Sequence, residues 1–167
     1  MLAQNVAFWI VAVVMAGAAI GVVRTKNVVH AALFLVVVLA GAAAQYILIA
    51  AEFVAWVQVL IYIGAVVILF LFGIMLTRAP MRPEDNLDND QRWPAAIVAA
   101  GLLAVLIVLL VDAFGEKEIE LTDDLLQVGR TDTVGNSIFR QFVVPFEVVS
   151  MLLLAALVGA VAIARRD

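Results

Sequence analysis

Long apolar runs alternate with short polar breaks along the whole chain, and ionisable residues are nearly confined to the breaks. The hydrocarbon core of a bilayer, about 30 Å thick, takes roughly 20 helical residues at about 1.5 Å each, so a run of that length reads as a span. Five such runs are present, at about 2–23, 28–50, 53–77, 94–111 and 141–164. No Asp, Glu, Lys or Arg precedes Arg24, and none lies between Trp93 and Val111. Only Glu52 falls between Asn27 and Thr77, and only Glu147 between Gln141 and Ala164. The pattern predicts an all-α polytopic membrane protein with five transmembrane helices, in a single membrane domain over residues 1–167. The first run has no basic residue before it and exceeds the h-region of a secretory signal, so it is expected to stay as a permanent helix.

The breaks differ in kind. Residues 24–27 form a tight turn, the second and third spans meet around Glu52 with almost no loop, and 78–92 is polar with Pro80 and Pro83. The longest connection, 112–140, carries Asp112, Glu116, Glu118, Glu120, Asp123, Asp124 and Asp132 against Lys117, Arg130 and Arg140. It reads as a solvated acidic loop. The alternative is a short amphipathic element at the interface, built on Ile119, Leu121, Leu125, Leu126 and Val128.

Composition narrows the function classes. The 167 residues are 66% hydrophobic and 14% charged, against about a quarter charged in soluble domains. Five spans consume that apolar content and leave no mass for a catalytic domain. With no cysteine and a single histidine, the chain offers no disulfide, iron–sulfur ligand set or ordinary zinc site. No basic face exists for nucleic acid. Of the ten Lys and Arg residues, Arg24, Lys26, Arg78, Arg82, Arg92, Arg165 and Arg166 fall on one side of the membrane, and Lys117, Arg130 and Arg140 on the other. The positive-inside rule then puts the C-terminus in the cytoplasm and the N-terminus in the periplasm. Trp93 and Pro94 open the fourth span at the interface.

Small residues at a spacing of four, namely Gly17 with Gly21, Ala40 with Ala44 and Ala155 with Gly159, predict close helix packing. A chain with so little extramembrane mass, no internal repeat and no ring of polar residues reads as one subunit of a larger assembly.

Ionisable groups inside spans are costly and mark candidate sites. Glu52 opens the third span, where the helix macrodipole also favours a carboxylate. Glu147 lies one to two turns into the fifth span, after Pro145. His30, beside Arg24 and Lys26, reads as an interfacial group. The third span is the richest: Gln58 and Tyr62, four apart, are expected to share a face. Gly64 among β-branched neighbours marks either a close backbone approach or a local irregularity such as a π-bulge.

In this helix Gln58-Val59-Leu60-Ile61-Tyr62-Ile63-Gly64-Ala65-Val66-Val67-Ile68-Leu69-Phe70-Leu71-Phe72 closely resembles the third-helix signature of the subunit J family of bacterial respiratory complex I, the proton-pumping NADH:quinone oxidoreductase. The resemblance extends to Asn27 with His30-Ala31-Ala32. It continues in Phe146-Glu147-Val148-Val149-Ser150-Met151-Leu152-Leu153-Leu154-Ala155-Ala156-Leu157-Val158-Gly159-Ala160. It implies a membrane-arm subunit of the bacterial inner (plasma) membrane that helps couple quinone reduction to proton translocation and has no catalytic centre of its own. NADH, FMN, iron–sulfur clusters and quinone would belong to other subunits. The implied partners are the quinone-site subunit, subunits resembling A and K, and the antiporter-like subunit N.

The resemblance further implies a switchable π-bulge around Tyr62, Gly64, Ala65, Val66 and Val67, acting as a proton and water gate. A bulge shifts the register by one residue, turning everything beyond it by about 100°. Some relatives carry a glutamate where this chain has Gln58, which cannot titrate, so this subunit is expected to gate protons rather than carry them. Two other classes compete: a related membrane subunit of a cation/proton antiporter or membrane-bound hydrogenase, and a stand-alone channel or carrier.

Overall fold

The computed structural model describes residues 2–76, 92–115 and 122–165, apart from the side chains of Arg92 and Asp123. Most of the expected 78–92 connection, and residues 116–121 of the next one, lie outside this set. Five of the described helices are long and apolar enough to cross a membrane: Leu2–Arg24, Val28–Leu48, Glu52–Leu76, Trp93–Phe114 and Val143–Ala164. The chain is a multi-pass membrane protein, and helix is the regular secondary structure of its described residues.

Local chemistry sets the boundaries. Asn27 caps the second span, its side-chain oxygen accepting from the Val29 N–H at 2.9 Å and the His30 N–H at 3.4 Å. Two donors that a helix start leaves without partners are satisfied in this way. The second span ends at Leu48 rather than near residue 50, because Ala50 takes a φ of 58° and breaks the helical ladder. That left-handed conformation costs a non-glycine residue roughly 1–2 kcal/mol. Asp112, expected in the connection, instead lies in the last turn of the fourth span, which runs on to Phe114.

The first three spans form a packed unit, with the second span between the first and the third. Its buried side chains are Ala18, Ala32, Ala43, Ala55 and Val67. In lipid there is no hydrophobic drive between helices, so small residues that let backbones approach carry the packing. The expected pairs are realised only in part. Gly21 faces the Phe34 ring, with the Cβ position 2.9 Å from Cγ, whereas Gly17 and Gly159 face open space. Ala40 is exposed, and the second span instead packs through Ala32, Gly41 and Ala43, with Gly41 tight against the Met15 side chain. Gln45 spans the same seam, its Nε2 donating to the Phe8 carbonyl at 3.2 Å. The fourth span packs on no other element among the described residues, and the fifth only on the short helix before it.

The acidic connection is not a loop over its described part. Two helices, Asp123–Val128 and Thr131–Arg140, occupy it. The second is amphipathic; of the Ile119 to Val128 alternative, Ile119 and Leu121 lie outside the described residues, and Leu125, Leu126 and Val128 are exposed on the first helix. Val134 and Ile138, four apart, share its half-buried face. Asp132 in its first turn and Arg140 in its last complement the helix dipole. The Phe139 ring packs edge-on against Phe146 of the fifth span, centroids 5.2 Å apart.

A Gly41→Leu substitution places a side chain where Met15 now sits and is expected to destabilise the helical unit by about 1–3 kcal/mol, as overpacking does. Gly17→Ala, facing open space inside the first helix, is expected to stabilise by about 0.5–1 kcal/mol through helix propensity. Thermal denaturation of the detergent-solubilised protein checks both.

Candidate functional site

The third span changes its winding partway. It begins as α-helix over Glu52–Val57, becomes a π-helix over Gln58–Val67, and returns to α-helix over Ile68–Leu76. Most π segments are single-turn bulges, and this one covers ten residues. Gln58, Tyr62, Gly64, Ala65, Val66 and Val67 all lie inside it, and it starts four residues before Tyr62. Val59, Ile61, Ile63, Val66 and Val67 are β-branched and crowd the preceding turn of an α-helix. Gly64 adds no side chain to hold that turn.

Burial records the change of register. The inward positions run Ala55, Gln58, Ile63, Val67 and Leu71, with a step of five residues between Gln58 and Ile63 where an α-helix would step three or four. Gln58 is therefore half-buried while Tyr62 is 48% exposed, so the two do not share a face as α-helical spacing predicts. Val67 is 3% exposed and its neighbour Val66 49%.

Gly64 is exposed, and a Cβ there would meet only the Val59 carbonyl oxygen, at an ordinary 3.5 Å. The close approach of another helix is thus not the reason for glycine here. The carbonyl it faces belongs to Val59, the residue five back that a π-helix pairs with.

Glu52 is the first helical residue of the third span, exposed at the positive end of the dipole. Glu147 is exposed in the second turn of the fifth span, and its carbonyl accepts from Ser150 Oγ at 2.7 Å. Among the described residues the fifth span does not pack on the third, and Glu147 is not brought to the π segment. His30 lies exposed in the first turn of the second span. No three His, Asp or Glu side chains gather among the described residues.

Three features of this region are absent from the sequence reading. Gln45 is the amide that ties the first span to the second, and a lone Gln in an apolar run is its signal. Ala50 takes the left-handed corner with no signal at all, because turn chemistry favours Gly or Asn there. Gly129 meets that corner: its carbonyl accepts from the Phe53 N–H at 3.1 Å.

Among the described residues, five spans, an irregular third helix, a fourth span that packs on nothing and a fifth that packs only on a short helix describe an integral membrane component. The chain belongs to the NADH-ubiquinone/plastoquinone oxidoreductase chain 6 family, whose family model matches residues 18–163. It is 38% identical over 168 residues to the NAD(P)H-quinone oxidoreductase chain 6 of a Synechocystis strain, covering 98% of this chain and 82% of that one. With the protein of the same name from Leptolyngbya boryana it shares 41% identity, covering 98% of this chain and 81% of the relative. The F(420)H(2) dehydrogenase subunit J of Methanosarcina mazei is 36% identical over 167 residues, with 98% and 92% covered.

Proposed function

We propose that this chain is a non-redox membrane-arm subunit of a quinone-reducing, proton-translocating oxidoreductase of the complex I type, and that Gln58–Val67 is a two-register gate for protons or water. The five-residue inward step from Gln58 to Ile63 carries this reading. If the segment rewinds to α-helix, the positions four and eight beyond Gln58 turn inward, so Tyr62 and Val66 replace Ile63 and Val67. Phe70 likewise takes the place of Leu71. The helix beyond the segment turns by about 100°. One register then presents an aliphatic surface to the neighbouring helix and the other a phenol hydroxyl, which can order water. Gln58 sits at the pivot and can hydrogen-bond water in either state without exchanging a proton with it.

In this assignment the electron donor and its cofactors belong to other subunits: NADH, FMN, iron–sulfur clusters and quinone. The relatives' names support that separation, because one family serves complexes named for NAD(P)H and for F(420)H(2). The same names, of quinone oxidoreductases and a dehydrogenase, favour this reading over a cation/proton antiporter or a hydrogenase. The fourth span, which packs on no other element among the described residues, and the fifth, which packs there only on the Thr131–Arg140 helix, take as neighbours the quinone-site subunit, subunits resembling A and K, and the antiporter-like subunit N. The charge bias puts the C-terminus in the cytoplasm and the N-terminus in the periplasm of a bacterial plasma membrane.

A Gly64→Val variant is expected to assemble but to lose about half or more of the protons moved per quinone reduced, because a β-branched side chain at the centre of the segment resists rewinding. Proton uptake measured in inverted vesicles against quinone reduction checks it, and normal stoichiometry in a fully assembled complex contradicts the gate. Glu147→Ala is expected to impair assembly or coupling, read on native gels and in the same vesicles. Wild-type behaviour in both leaves Glu147 a structural group at a helix start.

A further inference from the structure

The start of the third span is capped by a distant part of the chain. A helix leaves its first N–H groups without internal acceptors, and Ala51, in the capping position, has no side-chain oxygen to offer. The Phe53 N–H instead donates to the Gly129 carbonyl at 3.1 Å. Gly129 lies between the two short helices of the acidic connection, and its φ of -83° is open to any residue. The need for glycine is therefore spatial. A Cβ there would lie 2.8 Å from the Ala51 Cα and 2.9 Å from the Ala50 carbonyl carbon, and would run into the Ala50 oxygen. Those contacts are with backbone, which cannot step aside as a flexible side chain does. The strained Ala50 corner, at φ 58°, is the surface against which Gly129 seats.

This junction has a wider role in the described chain. The Thr131–Arg140 helix that follows Gly129 packs on the start of the third span at one side and on the fifth span at the other. Among the described residues it is the connection between the three-helix unit and the fifth span.

We infer that Gly129 is a positioning residue, a latch that fixes the Glu52 end of the third span. This rests on the two-register reading of Gln58–Val67. A change of register turns the two ends of a helix relative to one another and does not by itself decide which end moves. With Phe53 held by Gly129, the turn of about 100° is delivered to Ile68–Leu76. Without the latch, the Glu52 end takes part of the rotation, and less of it reaches the far half.

The test uses the assembled complex in native membranes. Gly129→Ala is expected to raise hydrogen exchange of the Phe53 amide about fivefold or more, the scale of one lost cap. It should also lower protons moved per quinone reduced while the rate of quinone reduction stays near wild type. Because the chain has no cysteine of its own, an Ala51→Cys, Arg130→Cys pair probes the contact separately. It is expected to cross-link on mild oxidation, with pumping stoichiometry retained in the linked complex. If Gly129→Ala fails to assemble, the cysteine pair decides. Failure of that pair to link, or unchanged exchange at Phe53 in an assembled Gly129→Ala complex, overturns the latch. Faster exchange with unchanged stoichiometry overturns its positioning role and leaves the gate standing, since Gly64→Val tests the gate without touching Gly129.

Discussion

A backbone inside hydrocarbon has no water to turn to, so each N–H and C=O must find a partner within the protein, at several kcal/mol for each one left over. The helix satisfies this demand, and so does a π-helix, with each donor reaching one residue further back. Interconversion of the two is therefore a large motion open to a membrane helix without stranding polar groups. The winding of Gln58–Val67 rests on this constraint. So do the smaller bonds around it. Asn27 caps a helix start, Gln45 reaches the Phe8 carbonyl, and Ser150 returns its hydroxyl to the Glu147 carbonyl. At the start of the third span, where the capping position is an alanine, Gly129 provides the acceptor from elsewhere in the chain.

The packing follows a second consequence of the same solvent. With lipid as apolar as leucine, large side chains gain little by leaving it, and the buried positions of the first three spans are four alanines and one valine. The fourth span has no inward face among its described residues, and the fifth touches only the amphipathic helix before it. Membership of the chain 6 family and the proposed role agree with this anatomy. A subunit that changes the register of one helix has work only where neighbouring chains complete the path that the helix opens or closes.

The spans themselves are legible from sequence because hydrocarbon thickness sets their length and excludes charge, and both leave marks in composition. What escapes sequence depends on pairing. Ala50 has no turn signature, so the second span reads as running to the corner rather than ending at Leu48. Thr131–Arg140 contains residues typical of loops, and its helix becomes apparent only when Val134 and Ile138 find a surface. Gly17 and Gly21 have the same spacing signal, yet only Gly21 meets a partner. At the candidate site the sequence points, through Gly64 and its β-branched neighbours, to the helix whose winding is irregular over Gln58–Val67. It misplaces the faces, because spacing arguments assume 3.6 residues per turn, and the ten residues from Gln58 are wound otherwise. The proposed gate role of that helix comes from the family resemblance; periodicity alone does not contain it.

The most direct test is a structure of the assembled complex determined both at rest and during turnover, at a resolution that defines backbone hydrogen bonds between Gln58 and Ile68. The account predicts two registers. In one, bonds reach five residues back and Ile63 and Val67 face inward; in the other they reach four back, with Tyr62 and Val66 in those places. A single π register in both conditions, with Tyr62 outward throughout, would contradict it.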